Sequence, residues 1–318
     1  MIFSIWRFNP EKDTSPYFQD YKLKKIPQGT TLLDCMNLIK WTQDGTLTYR
    51  MSCRSAICGS CAIKVNGHAI LACKTQVSNV IKDGKVKIEP LGNMEIIKDL
   101  VVDLGPFWER IEKIRPWLMP DESERYEKER YQSIDDFRKI DESSTCIMCG
   151  CCYSDCSSLD VDKVFLGPTA LAKGQRFIDD SRDKERLNRI RELSDKGGIW
   201  DCTHCGECSE RCPTEARPLE RITSMRRTAL ALGIINNIGA RHVKGFVDSI
   251  AHSGRLNENI LPIRSMGIFN IPGLMSLIPI GIRMIMRRKN PSIIHRSIDE
   301  VEDIRRIVEE LCKRLRKG

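Results

Sequence analysis

The 318-residue chain has no G-x-G-x-x-G run after a strand pattern and no G-x4-G-K-[ST] phosphate loop, so it carries no nucleotide-binding signature of its own. Its Lys and Arg residues are scattered without interleaved aromatics, which removes the usual mark of a nucleic-acid groove. The residues after Met1 lack the basic, apolar, small-residue order of a secretory leader, and the expectation is an intracellular, reducing setting. Long apolar runs are also scarce. Residues 265–282 form 18 consecutive uncharged positions, the lower edge of a membrane-spanning length. Gly267, Asn270, Pro272, Gly273, Pro279 and Gly281 would interrupt a straight helix there. The segment therefore reads as a partner-docking or interfacial piece between Arg264 and Arg283, docking being the simpler reading, and no transmembrane helix is expected.

What the chain has in excess is cysteine, fifteen in all, twelve of them in three runs. Cys53, Cys58 and Cys61 with the distal Cys73 have the C-x4-C-x2-C spacing of plant-type [2Fe-2S] ferredoxins. Cys146, Cys149, Cys152 and Cys156, then Cys202, Cys205, Cys208 and Cys212, have the C-x2-C-x2-C-x3-C spacing of two-cluster bacterial ferredoxins. Thiols clustered in a reducing compartment read as metal ligands before disulfides. In the two-cluster arrangement the last cysteine of each run ligates the other cluster. The sets expected are thus Cys146, Cys149, Cys152 and Cys212 for one [4Fe-4S] cluster and Cys156, Cys202, Cys205 and Cys208 for a second. Cys212-Pro213 completes its motif, whereas Cys156-Ser157 lacks the proline. Three clusters in one chain imply an electron wire. Four thiolates at paired C-x2-C spacing can also hold structural zinc, an alternative that these four-cysteine runs disfavour. Cys35 reads as a core thiol, Cys151 as out of register, and Cys312 as remote from any partner cysteine.

Around these runs the pattern predicts an α+β protein. Residues 2–8 alternate as a strand, a second strand is expected near residues 21–26, and Asn66-Gly67 marks a hairpin turn. A helix after Thr30 carries Leu32, Leu33, Met36 and Ile39 as an apolar stripe to cover one sheet face, as in a β-grasp ferredoxin. Small residues fill the loop from Cys53 to Cys61, where backbone N–H groups can approach cluster sulfurs. From Pro106 the periodicity turns helical. A charged stretch at residues 121–144 joins the two cysteine regions, and residues 171–193 are rich in helix formers. The expected domains are 1–105 (β-grasp [2Fe-2S]), 106–232 (all-helical, two clusters) and 233–318 (a basic helical extension). The net charge is +8, and residues 281–318 hold eleven Lys or Arg against six Asp or Glu, which suits an acidic partner or a membrane surface. A last helix is expected behind a capping box at Ser297 and Glu300, with Val301, Ile304, Val308, Leu311 and Leu315 as its stripe.

The phrases Phe8-Asn9-Pro10-Glu11, Leu47-Thr48-Tyr49-Arg50, Cys58-Gly59-Ser60-Cys61, Pro116-Trp117-Leu118 and Cys146-Ile147-Met148-Cys149 resemble the iron–sulfur subunit of succinate dehydrogenases and fumarate reductases, over roughly residues 1–230. The resemblance implies a tricarboxylic-acid-cycle oxidoreductase at the cytoplasmic face of the membrane, peripheral in this chain. Electrons would pass from covalent FAD in a partner flavoprotein through the [2Fe-2S] centre and two further clusters to a quinone, and succinate would bind the partner. Cys205 departs from the usual family member, which has a non-cysteine and a [3Fe-4S] centre there; a fourth thiolate predicts [4Fe-4S]. The quinone-side phrases depart too, reading Cys156-Ser157-Ser158-Leu159 and Cys202-Thr203, with His204 one residue late for the family's histidine. Trp200-Asp201-Cys202-Thr203 and the His242, Phe246, Gly254-Arg255-Leu256-Asn257-Glu258 pattern are similar instead to the small subunit of heterodisulfide reductases. That second resemblance implies docking to a subunit with CCG repeats, as in a variant complex II whose CCG-containing subunit replaces the membrane anchor. The alternative function is an electron-transfer subunit of a thiol:fumarate or heterodisulfide reductase.

Overall fold

The protein is described by a computed structural model covering every residue except 122, 124–128, 268, 290, 292–295 and 318, and the side chains of 314–317 also lie outside the described set. Part of the charged stretch 121–144 and the Leu315 position of the terminal stripe therefore fall outside it. The chain divides into two compact units, Met1–Arg189 with Cys202–Thr223, and Ile190–Asp201 with Ser224–Gly318.

The first unit opens with β1 (Ile2–Arg7), β2 (Tyr17–Lys22), α1 (Leu32–Thr42), β3 (Ala62–Val65), β4 (His68–Leu71) and β5 (Lys85–Glu89). These strands form one sheet in the order β2-β1-β5-β3-β4, with β1 and β5 parallel and the other neighbours antiparallel. This is the β-grasp. The second strand lies earlier than residues 21–26 because Arg7 pairs with Tyr17 and Ile2 with Lys22, so β1 offers no partner beyond its own first residues. Thr31 caps α1 reciprocally with Asp34, and Leu32, Leu33, Met36 and Ile39 bury the predicted stripe against Phe3, Ile5, Val86 and Ile88. Between β3 and β4, Asn66 at φ 50° and Gly67 at φ 89° make the two-residue turn whose twist matches the strands.

Arg7 is buried at the end of β1, and its guanidinium donates to the Asp44 carboxylate, the Tyr21 hydroxyl and Asp99. Burial pushes the Asp44 carboxyl up, but hydrogen bonds from Thr46, Tyr21 and Arg7 outweigh it and hold the group well below the ordinary carboxylate range. A carboxyl depressed in the folded state contributes stability above its unfolded value, near pH 4, and that contribution is lost as pH falls below it. The urea midpoint should fall between about pH 5 and pH 3, and Asp44→Asn should flatten that slope while lowering the plateau. Equal slopes for the two chains would remove Asp44 from the account.

The pair β6 (Ile96–Lys98) and β7 (Val101–Val102) leads into the helical part: α2 (Gly105–Lys113), α3 (Ile134–Ser144), α4 (Cys151–Ser154), α5 (Ser157–Val161), α6 (Pro168–Ile178), α7 (Arg186–Leu193), α8 (Glu207–Glu210) and α9 (Pro218–Ala231). The helix-forming stretch 171–193 is two helices, α6 and α7. Asp180, with no exposed side-chain surface, breaks it by accepting ion pairs from Arg176 and Arg182.

In the second unit lie α10 (Ile238–Ser253), α11 (Ile260–Met266), α12 (Ile271–Met286) and α13 (Val301–Lys317). Asn237 caps α10, Gly254 at φ 73° ends it, and His242 meets the Ser265 hydroxyl of α11 at 3.0 Å. Arg305 of α13 donates to the carbonyls of Ala251 and His252, using the acceptors left open at the end of α10. α13 starts at Val301, after the expected Ser297 cap: Ile298 instead donates its N–H to the Ser253 carbonyl and packs on Gly254, and this docking keeps residues 297–300 out of the helix. Among the described residues no helix is long and apolar enough to cross a membrane.

Candidate metal centres

The loop between Cys53 and Cys61 winds around sulfur. Arg54, Ala56 and Gly59 all have positive φ, and the turns they make aim backbone N–H groups inward. The amides of Ser55, Ile57 and Cys58 donate to Cys53 Sγ at 3.3, 3.4 and 3.3 Å, and that of Cys53 to Cys58 Sγ at 3.5 Å. The chain leaving β4 supplies the fourth sulfur, with Ala56 N–H donating to Cys73 Sγ at 3.3 Å and Cys73 N–H to Cys61 Sγ at 3.4 Å. Cys53, Cys58, Cys61 and Cys73 are thus brought together. Burial pushes the Cys61 thiol up to about 12, whereas a hydrogen bond from Ser60 and the Cys53 N–H draw the exposed Cys58 down to about 6.

Two cavities lie in the helical part of the same unit. One is lined by Cys146, Cys149, Cys152 and Cys212, the other by Cys156, Cys202, Cys205 and Cys208, with about 330 and about 300 Å3 of atom-free space. The crossed sets therefore face common spaces of nearly equal size. Both runs reach this arrangement by the same backbone path. Met148 at φ 53° and Gly150 at φ 82° precede α4, and His204 at φ 58° and Gly206 at φ 90° precede α8. Cys149 and Cys205 each sit between their two left-handed residues, so Cys205 occupies the same local position as Cys149. Amides again point at sulfur, Ala216 N–H to Cys212 at 3.2 Å and His204 N–H to Cys202 at 3.4 Å. Apolar and small groups close the walls: Thr169, Ala172 and Pro213 beside the first set, Phe165, Leu219 and Ile222 beside the second.

Burial raises the Cys152 thiol well above its ordinary value and pushes Cys208 up to about 12. Such thiols release their protons only to a strongly cationic partner, and buried thiols with N–H groups directed at their sulfurs fit iron–sulfur clusters. Among the described residues no three ligating side chains converge tightly enough for a single metal ion; the sulfurs surround space instead.

Cys35 is buried in the sheet core and Cys312 is exposed on α13. Cys151 does not line the first cavity. It is fully buried, and its thiol side chain is the largest influence drawing the Cys149 thiol down to about 7. Other contributors escape sequence reasoning because their partners are distant in the chain. The Asn93 side chain donates to the carbonyls of Tyr153, Ser154 and Cys156 at 3.0, 3.1 and 3.0 Å, clamping the end of the second cysteine run against the β-grasp part. Asp155 accepts from Ala69 N–H at 2.8 Å and pairs with Lys64 at 3.5 Å. A Cβ on Gly59 would stand 2.7 Å from Cys149 Cβ, so the [2Fe-2S]-type loop touches a cysteine of the first cavity at a position where only hydrogen fits.

Residues 2–109 match the family model of a 2Fe-2S iron-sulfur cluster binding domain, and residues 142–216 that of a 4Fe-4S dicluster domain. The chain is 37% identical to the 8-methylmenaquinol:fumarate reductase iron-sulfur subunit of Wolinella succinogenes, over 85% of this chain and 86% of that one. It is 37% identical to the fumarate reductase iron-sulfur subunit of Mycobacterium tuberculosis, over 72% and 92%. With the mitochondrial succinate dehydrogenase [ubiquinone] iron-sulfur subunit of Dictyostelium discoideum the identity is 36%, over 70% and 80%. Among solved structures, a chain of the Mycobacterium smegmatis Sdh1 complex in the apo form superposes with a TM-score of 0.65 at 25% identity, covering 71% of this chain and 93% of that one.

Proposed function

Because the chain belongs to the iron–sulfur subunits of the succinate dehydrogenase and fumarate reductase family, we propose that it carries electrons between FAD in a partner flavoprotein and a quinone, through one [2Fe-2S] and two [4Fe-4S] clusters. The observation that carries this reading is the grouping of twelve cysteines into three sets of four. When bound, the clusters supply one-electron transfer without making or breaking substrate bonds. The protein holds and tunes them. We assign Cys53, Cys58, Cys61 and Cys73 to the [2Fe-2S] centre, Cys146, Cys149, Cys152 and Cys212 to one [4Fe-4S] centre, and Cys156, Cys202, Cys205 and Cys208 to the other. N–H groups aimed at the sulfurs stabilise negative charge on the ligands and so favour the reduced state. Gly59 and Asn93 fix the approach of the first loop to the second cysteine run.

The domain division at residues 105 and 232 belongs to the same proposal, with the last part serving assembly. A quinol as electron partner is supported by the Wolinella relative, whose name specifies 8-methylmenaquinol, and by its alignment reaching further through this chain than those of the other two. The His242 to Glu258 pattern supports a CCG-containing anchor subunit, and membership of the family a peripheral position at the cytoplasmic face. Purification of the complex with its flavoprotein tests the reading. Succinate should reduce the clusters, a quinol should drive fumarate reduction, and reduced samples should give one [2Fe-2S] signal with two interacting [4Fe-4S] signals in electron paramagnetic resonance. Fumarate reduction that depends on thiols and ignores quinols would favour the thiol:fumarate reductase alternative, and zinc in place of iron would end both.

A further inference from the structure

We propose that α12 is an in-plane anchor that seats this chain on an anionic lipid surface. The helix has no buried residue. Ile271, Met275, Ile278, Ile282 and Ile285 recur at spacings of four, three, four and three, which puts them on one face, and each is more than half exposed. Ser276, Arg283 and Arg287 lie together on a second face, at spacings of seven and four. Leu274, Leu277 and Met284 are half-buried and share a third flank. A broad apolar face beside a narrow basic one is the pattern of a helix lying in the headgroup boundary. Sixteen residues rise about 24 Å, short of the roughly 30 Å hydrocarbon core, so the helix lies on the bilayer rather than across it.

Charge decides between lipid and protein as the occupant. Residues 259–298 contain six Lys or Arg and no Asp or Glu. Arg283, Arg287, Arg288 and Lys289 at the end of α12 are all exposed, and no carboxylate pairs with them among the described residues. Such a cluster beside an apolar face is complementary to anionic headgroups over acyl chains. A partner's groove would need to match both the apolar width and this unopposed charge. The inference rests on the peripheral placement proposed above, but concerns which element touches lipid, and the two can fail separately.

The test is co-sedimentation of the full chain, and of its complex with the flavoprotein, with phosphatidylglycerol/phosphatidylcholine vesicles and with pure phosphatidylcholine vesicles. Binding to the anionic vesicles is expected, falling with salt. The pair Ile278→Asp and Ile282→Asp should lower the partition at least about ten-fold, and charge removal at Arg283, Arg287, Arg288 and Lys289 should do the same for anionic vesicles only. Iron content and co-elution with the flavoprotein report whether each variant remains folded. Wild-type chain that ignores both vesicles, or Asp variants that bind as well as wild type, would overturn the proposal. Asp variants that keep vesicle binding but lose the anchor subunit would assign α12 to a protein partner, overturning the lipid reading while leaving the peripheral placement in force.

Discussion

Replacing Cys205 with Ser should give a chain whose oxidised form shows a [3Fe-4S] signal in electron paramagnetic resonance and whose iron content falls by one per chain, with the [2Fe-2S] signal unchanged. The expectation follows from local geometry. Cys205 stands between His204 and Gly206, both left-handed, as Cys149 stands between Met148 and Gly150, and it shares its cavity with Cys156, Cys202 and Cys208. Removing one thiolate from a set of four leaves one iron without a protein ligand, and that iron is the one lost. Ser can ligate through oxygen, so Cys205→Ala serves as the stricter variant. Both should shift the midpoint potential of this centre most, because Cys205 lines its cavity, while the first set meets this run only through Cys212 and the [2Fe-2S]-type sulfurs lie on separate loops. Unchanged spectra and iron content in both variants would make Cys205 a bystander and place a three-thiolate centre in the second cavity.

The fold was legible where the signal is local. Cysteine spacing encodes loops that must close on a common centre, and the α1 stripe and the Asn66-Gly67 turn carry periodicity and left-handed preference within a few residues. Strand ends were less legible, because where β2 stops depends on how much of β1 remains to pair with it. The break between α6 and α7 was hidden for a related reason. Asp180 interrupts a helix-forming composition only because Arg176 and Arg182 close on it in three dimensions. The supporting residues of the candidate centres were least legible. Asn93 and Asp155 act on groups about 60 to 90 positions away, and Cys151 differs from a core thiol only by the neighbour it meets.

Arg189→Ala should be the most destabilising single change away from the cysteines, by about 3–5 kcal/mol, because it leaves a buried charge without its partner. Arg189 is 2% exposed, and its guanidinium meets Asp183, itself buried, at 3.0 Å. The same group donates to the carbonyls of Ile114, Arg115 and Trp117 at 2.9, 2.9 and 2.7 Å, while Asp183 also accepts from Met119 N–H at 3.0 Å. One ion pair thus holds both ends of the Pro116-Trp117-Leu118 segment, and without it the buried Ile114 carbonyl loses its donor. Lys at 189 keeps the charge but lacks the planar fork that reaches three carbonyls and a carboxylate, so Arg189→Lys should recover only part of the loss. The double change Arg189→Met and Asp183→Leu removes both charges and should be less damaging than Arg189→Ala, the sign expected when the cost comes from an uncompensated ion. Urea unfolding followed by tryptophan fluorescence, with hydrogen exchange over residues 114–119, measures all three. A loss below about 1 kcal/mol for Arg189→Ala would show that water replaces the guanidinium at little cost, and that the segment is held by packing instead.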